Sequence, residues 1–87
     1  MGEIYHNYKG IDFYIYSYDN KKHKTPHIHA YSSDGELVIC LKTCTILSGN
    51  MKKSKQKYAL KWVEEHRNKL LDIWDIAIIG GKITKIK

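Results

Sequence analysis

The spacing of hydrophobic residues changes once along this chain, and that change constrains the fold more than any other feature. Residues 3–18 read EIYHNY-KG-IDFYIYSY, two aromatic and β-branched runs separated by Lys9-Gly10. Such runs on either side of a short turn are typical of a β-hairpin. From Ser54 onward, apolar residues recur at every third or fourth position instead, which is typical of an amphipathic helix. The pattern therefore predicts an α+β fold, with the strands first and the helix second.

Two further strands are predicted between the hairpin and the helix. Pro26 lacks an amide hydrogen and favours extended geometry in its predecessor, so a strand is expected to begin directly after it, with HIHAY. The residues SSDG (Ser32 to Gly35) indicate a turn, and ELVICL (Glu36 to Leu41) indicates a buried fourth strand. We therefore predict an antiparallel β-meander of about four strands within residues 1–50.

The second half of the chain predicts one long amphipathic helix and a short C-terminal β-hairpin. The helix is expected over residues 54–75, with Ser54 as its N-cap and its apolar face packed against the sheet. His66 lies at the boundary of that apolar face. In residues 76–87, the pair Gly80-Gly81 separates two β-branched runs, which favours a hairpin.

Length and charge limit the organisation and the partners of the protein. Eighty-seven residues predict a single domain, residues 1–87, whose thin core favours self-association as a dimer or higher oligomer. The C-terminal hairpin could pair with an edge of the main sheet or with the same hairpin of a second subunit. The net charge of +6 favours anionic partners. All but one of the fifteen basic residues are lysines, the exception being Arg67. Because bidentate reading of base edges uses arginine, sequence-specific duplex recognition is not expected, and the lysines could also serve solubility alone.

The remaining composition predicts a cytoplasmic protein that does not contact membranes. The sequence shows neither an apolar leader-like segment nor about 18 consecutive apolar residues. Cys40 and Cys44 have neither a zinc-site nor a redox-motif spacing, and we expect two reduced thiols.

The histidine-bearing strand predicts a functional surface. Residues two apart in a strand share a face, so His27, His29 and Tyr31 should lie opposite Ile28 and Ala30. By the same rule Tyr14 and Tyr16 share the polar face of the preceding strand, and the two polar faces coincide if the strands are neighbours. The predicted ligand-binding residues are Lys22, Lys24, Pro26, His27, His29, Tyr31, Tyr14 and Tyr16.

Four interpretations of these histidines remain open. A metal site would need a third ligand such as Asp19, Glu36 or His23, and because no supporting ligand cluster follows, we predict neither a metal nor a cofactor. His27 and His29 could act as acid and base in cleaving RNA or a nucleotide, with Lys22 or Lys24 stabilising the charged transition state. They could bind phosphates without chemistry, while tyrosine rings stack on a base or ribose. Finally, they could do no more than cap the strand end.

These residues resemble a known family, the small bacterial and phage proteins grouped as domain of unknown function 4160. The likeness covers a strand similar to FYIYSYD, a Pro-His-x-His motif matching Pro26, His27 and His29, a Gly-Glu turn at Gly35-Glu36, and a helix similar to VEEHRNKLLDIW (Val63 to Trp74). Thr25 stands where the family commonly has a second proline. The resemblance implies a meander with one packed helix, directs attention to His27 and His29, and brings no established activity.

The family also implies a biological setting, because members are often encoded in pairs that look like toxin–antitoxin modules. Our first interpretation is a cytosolic binding protein of phage, anti-defence or other conflict systems that engages a phosphate-bearing nucleotide or RNA, for example by sequestering a nucleotide signal. The second is a ribonuclease-type toxin that uses His27 and His29. The third is an adaptor or antitoxin-like module that docks on a small protein partner.

Overall fold

The structure, a computed structural model, describes residues 2–16 and 25–86. Its strands are β1 (Glu3–Tyr8), β2 (Ile11–Tyr14), β3 (His27–Ser32), β4 (Gly35–Cys40) and β5 (Ile46–Asn50), and its helices are α1 (Lys53–Glu65) and α2 (Arg67–Ile78). The predicted α+β class is confirmed. Neither helix is long and apolar enough to cross a bilayer.

The strands form one antiparallel sheet in the order β1-β2-β3-β4-β5, so each strand pairs with its neighbour in sequence. The meander is therefore confirmed, but the expected number of four strands is wrong. The fifth strand, β5, was not predicted because its sequence, ILSGN, contains glycine and asparagine, which are depleted in strands and common in loops. Gly49 has a φ of +94°, and a Cβ there would collide with the Glu36 carbonyl oxygen, so the close approach of β4 and β5 requires glycine.

One face of the sheet packs against both helices and forms the core. Strand residues such as Phe13, Ile28 and Leu37 are fully buried there together with Trp62 of α1 and Trp74 of α2. The rings of Phe13 and Trp62 stack with centroids 4.0 Å apart and planes 13° from parallel. Burial of large side chains on this face provides the hydrophobic stabilisation of the fold.

The helical region differs from the single helix predicted over residues 54–75. α1 and α2 are separated at His66, whose backbone lies outside the regular helical region at φ −111° and ψ 12°. The Nδ1 atom of His66 is 2.8 Å from the Trp62 carbonyl oxygen, which its own N–H also approaches at 3.1 Å. A side chain that shares a helical carbonyl with the backbone weakens the regular bonding pattern at that point.

The predicted N-cap is also wrong, because Ser54 lies inside the first turn of α1 and the N-cap residue, Lys52, makes no side-chain capping bond. The cap comes instead from the β3–β4 turn. Asp34 Oδ2 accepts a hydrogen bond from the Lys52 N–H at 2.8 Å, and Asp34 Oδ1 pairs with Lys55 Nζ at 3.3 Å. A carboxylate at a helix N-terminus satisfies a free N–H and complements the helix dipole.

The expected C-terminal hairpin is replaced by a helix end. Residues 76–78 belong to α2, the Gly80 N–H bonds the Ala77 carbonyl at 3.0 Å, and the Gly81 N–H bonds the Ile76 carbonyl at 2.9 Å. With Gly80 at φ +80°, this is a Schellman motif, in which glycine ends a helix in the left-handed conformation. The following residues run back to β1, where the Ile86 N–H bonds the Ile4 carbonyl at 2.9 Å.

Candidate functional site

The second face of the sheet, opposite the helices, carries aromatic and polar side chains in register. Tyr14 on β2 lies opposite Glu3 on β1 and opposite His29 on β3, and His29 in turn lies opposite Val38 on β4. Directly opposed residues project to the same side of a sheet. The alternation predicted for these strands therefore places Tyr14 and His29 side by side.

Four half-buried rings on this face form a connected group, the tyrosine–histidine cluster, which consists of Tyr14, Tyr16, His29 and Tyr31. Tyr14 and Tyr16 stack with centroids 5.8 Å apart, and Tyr14 meets Tyr31 edge to face at 5.4 Å. His29 meets Tyr16 edge to face at 5.0 Å and lies parallel to Tyr31 at 6.2 Å. Each ring thus contacts at least two others, and these distances lie in the range of favourable aromatic pairs.

Hydroxyl groups fix the orientation of the rings in the cluster. The hydroxyl oxygens of Tyr16 and Tyr31 are 2.9 Å apart, and the Tyr14 hydroxyl donates to Glu3 Oε2 at 3.2 Å. Loss of solvent and the adjacent Glu3 carboxylate raise the pKa of Tyr14. The Tyr14 hydroxyl therefore keeps its proton at neutral pH and acts as a hydrogen-bond donor.

His27 differs from the other predicted site residues because it is buried. Its residue is 1% exposed, and its ring packs against Trp74 of α2 with centroids 4.8 Å apart. The Nδ1 atom lies 2.9 Å from the Thr25 carbonyl oxygen, which can only accept, so Nδ1 carries the proton. The His27 and His29 rings meet edge to face at 5.3 Å. His29 thus belongs to the partly exposed cluster, whereas His27 is buried and contacts the cluster only through the His29 ring.

The remaining predicted site residues do not belong to the tyrosine–histidine cluster as the structure describes it. Lys22 and Lys24 lie outside the described residues, as do Asp19 and His23, two of the possible third ligands of a metal site. Pro26 is half-buried, and its carbonyl accepts the Leu41 N–H at 2.9 Å, which continues the pairing of β3 with β4. Within residues 2–16 and 25–86, no three His, Cys, Asp or Glu side chains are grouped so that they could hold a metal ion.

A pocket that the sequence did not predict opens beside the cluster. It has a volume of about 220 Å³ and is lined by Glu3, Tyr14, Ile83 and Lys85. Lys85 Nζ is 2.9 Å from Glu3 Oε1, and the hydrogen bond from Lys85 holds the pKa of Glu3 below its usual value. The pocket exists because the C-terminal segment returns to the edge strand β1 without forming the expected hairpin.

Cys40 is a second feature that the sequence did not indicate. It lies opposite His27 across β3 and β4, and its Sγ is 3.7 Å from the Thr25 hydroxyl oxygen. Burial raises the pKa of the Cys40 thiol, but hydrogen bonds from Thr43, Thr25 and the Lys42 backbone outweigh burial and lower the pKa to about 7. Thr25 therefore contacts Cys40 through its hydroxyl and His27 through its carbonyl.

No curated protein and no solved structure matches the chain. The family described as Domain of unknown function (DUF4160) matches residues 10–75, which include strands β2 to β5, helix α1 and most of α2. This match covers well over half of the chain and includes the whole tyrosine–histidine cluster, and the chain therefore belongs to the DUF4160 family.

Proposed function

We propose that this protein binds a phosphate-bearing nucleotide, free or within RNA, on the tyrosine–histidine cluster, without cleaving it. The observation that carries the proposal is the cluster itself. Four aromatic rings lie half-exposed on the face of the sheet that the helices do not cover. A purely structural role would be better served by burying such rings, since only burial brings their full hydrophobic contribution.

The chemistry of the cluster suits a nucleotide. Stacking of a base on a tyrosine face contributes about 1–3 kcal/mol and tolerates any base, since each has a π-face. The paired hydroxyls of Tyr16 and Tyr31 can donate to and accept from ribose or base-edge groups. His29 adds an imidazole ring, in contact with both Tyr16 and Tyr31, to the surface that the nucleotide would meet.

The charge of the chain supports an anionic ligand. Its net charge is +6, which attracts phosphates irrespective of their sequence context. Lys85 lies at the pocket beside Tyr14. Lys22 and Lys24 would add positive charge for the phosphate, because they belong to the segment that connects β2 and β3 in the sequence.

The two motif histidines have different roles in this proposal. His29 contacts the ligand, whereas His27 is a positioning residue, because its ring is enclosed by Trp74 and its Nδ1 proton is held by the Thr25 carbonyl. His27 thereby fixes the start of β3 and one side of the His29 ring. A binder of this kind, in the phage or bacterial conflict setting that the family resemblance suggested, would act by lowering the free concentration of a nucleotide signal.

Ribonuclease activity is the second candidate, and the 5.3 Å between the two imidazole centroids favours it, because an acid and a base must flank one phosphate. The burial of His27 at 1% exposure argues against it, because a proton-transfer group must reach the substrate. We therefore rank cleavage below binding. A docking role on a small protein partner has no comparable geometric support.

Titration calorimetry with mononucleotides, cyclic nucleotides and short RNAs tests the proposal. We expect at least one ligand to bind, and we expect Tyr16→Ala and His29→Ala to weaken its affinity about tenfold or more, the loss of one stacking or charged contact. Tyr58→Ala is the matched control, because Tyr58 is a 41% exposed tyrosine on α1. Absence of binding across the panel, or equal weakening by the control, would contradict the proposal. Shortened RNA after incubation would favour the nuclease instead.

A further inference from the structure

The two edges of the sheet differ in how they are covered. The outer edge of β1 is approached by the C-terminal segment through the hydrogen bond from Ile86 to Ile4, and the ion pair of Lys85 with Glu3 lies next to it. β5 forms the other edge and pairs with β4 on one side. Among residues 2–16 and 25–86, no backbone hydrogen bond reaches the outer side of β5. The outward-facing N–H and C=O groups of this strand therefore have no backbone partner among these residues, and an irregularity interrupts its pairing with β4 between Ile46 and Ser48.

The composition of β5 is unusual for an edge of this protein. Natural edge strands are commonly protected by lysine or proline, which oppose the addition of another strand. Charged residues make up 28% of this chain, yet the sequence of β5, ILSGN, contains neither a charge nor a proline. Leu47, the second residue of the strand, is 38% exposed, one of four large hydrophobic side chains exposed among the described residues.

We propose that β5 pairs antiparallel with β5 of a second copy of this chain. Two chains that each carry a net charge of +6 repel one another over most of their surfaces, so association is favoured where the contact is neutral. An uncharged strand presents the same donors, acceptors and leucine to its own copy, as a two-fold interface requires. Its two-fold axis stands perpendicular to the sheet.

This geometry joins two five-stranded sheets into one of ten strands. Because the axis is perpendicular to the sheet, the helices of both copies lie on one side and both tyrosine–histidine clusters lie on the other. Leu47 of one copy lies close to Leu47 of the other near the axis. The pairing does not depend on the proposed nucleotide binding, because the clusters are on β2 and β3 and the interface is on β5.

Sedimentation velocity and light scattering at micromolar concentration test the pairing. We expect the purified protein to have twice the chain mass of 10.2 kDa. Leu47→Lys and Leu47→Glu should each give monomers, because like charges would meet near the axis. An equimolar mixture of the two variants should restore the dimer mass, since opposite charges then meet. Circular dichroism should show that both variants are folded, because Leu47 is already partly in solvent.

Ile79→Lys is the matched control, because Ile79 at the end of α2 is 77% exposed and is the most exposed large hydrophobic residue of the described chain. We expect this variant to remain dimeric. A monomeric wild-type protein at 100 micromolar would overturn the proposal. Dissociation of the dimer by Ile79→Lys but not by Leu47→Lys would also overturn the proposal, because it would place the interface at the end of α2. Failure of the mixed Leu47 variants to dimerise would overturn it as well.

Discussion

Aromatic rings lie on both sides of the sheet and differ in how far they are buried. On the helix side, Phe13 and Trp62 are stacked and almost completely removed from solvent. On the second face, Tyr14, Tyr16 and Tyr31 remain half-exposed and contact one another through ring edges and hydroxyls. The comparison indicates that the first face forms the core of the fold, whereas the second face leaves aromatic rings partly in solvent.

The largest effect that separates the faces is expected at Phe13. We expect Phe13→Ala to lower the free energy of unfolding by about 3–5 kcal/mol, because it removes a fully buried ring from the stack with Trp62. Tyr16→Ala on the second face should cost clearly less. Urea denaturation followed by circular dichroism measures both. Equal losses would show that the second face is also part of the core.

The two motif histidines allow buried and partly exposed rings to be compared within a single strand. We expect His27→Ala to lower the free energy of unfolding by about 1–3 kcal/mol, because it removes the donor from the part-buried Thr25 carbonyl and a buried ring from its contact with Trp74. His29→Ala should change stability less and should weaken nucleotide binding more. A binding defect in the His27 variant that is larger than that of His29, at equal stability, would reverse the roles assigned to them.

The hydroxyl pair in the cluster provides a smaller test. Tyr16→Phe and Tyr31→Phe each keep the ring and remove one side of the 2.9 Å hydrogen bond. We expect each to cost about 0.5–1.5 kcal/mol of stability, and the double variant to cost less than their sum, because one shared bond is lost only once. Strict additivity in a double-mutant cycle would show that the two hydroxyls do not interact.

The smallest effect concerns pH and lies away from both faces, at Asp34. Hydrogen bonds from Ser32 and the Lys52 N–H lower the pKa of Asp34 to about 2 from its usual value of 3.8. A depressed pKa in the folded state means that this group stabilises the fold above pH 3.8 and that the contribution is lost as the pH falls toward 2. Asp34→Asn should flatten this part of the acid dependence of unfolding. An unchanged acid profile would contradict the capping role.

Features that follow from the local spacing of residues could be predicted from the sequence. Features that depend on contacts between distant parts of the chain could not. Alternation along β2 and β3 placed Tyr14, Tyr16, His29 and Tyr31 on one face, because side-chain direction in a strand follows directly from position. The same rule could not foresee that Trp74 would bury His27, since that contact joins a strand to a helix far along the chain. Likewise, Gly80-Gly81 suits both a hairpin turn and a helix end, and the helical context of Ile76 selected the second.

The return of the C-terminal segment to β1 has a consequence for how the protein folds and opens. Every strand pairing in the meander joins sequence neighbours, so the sheet can form through short loop closures. Lys85 and Glu3, by contrast, are 82 positions apart, and their contact becomes favourable only after the sheet and helices have brought them together. We expect this contact between the C-terminal segment and β1 to form last during folding and to open first in the native state. Amide hydrogen exchange at Ile86 should then be faster than at the centre of β3, and the pocket beside Tyr14 would open and close without unfolding of the sheet.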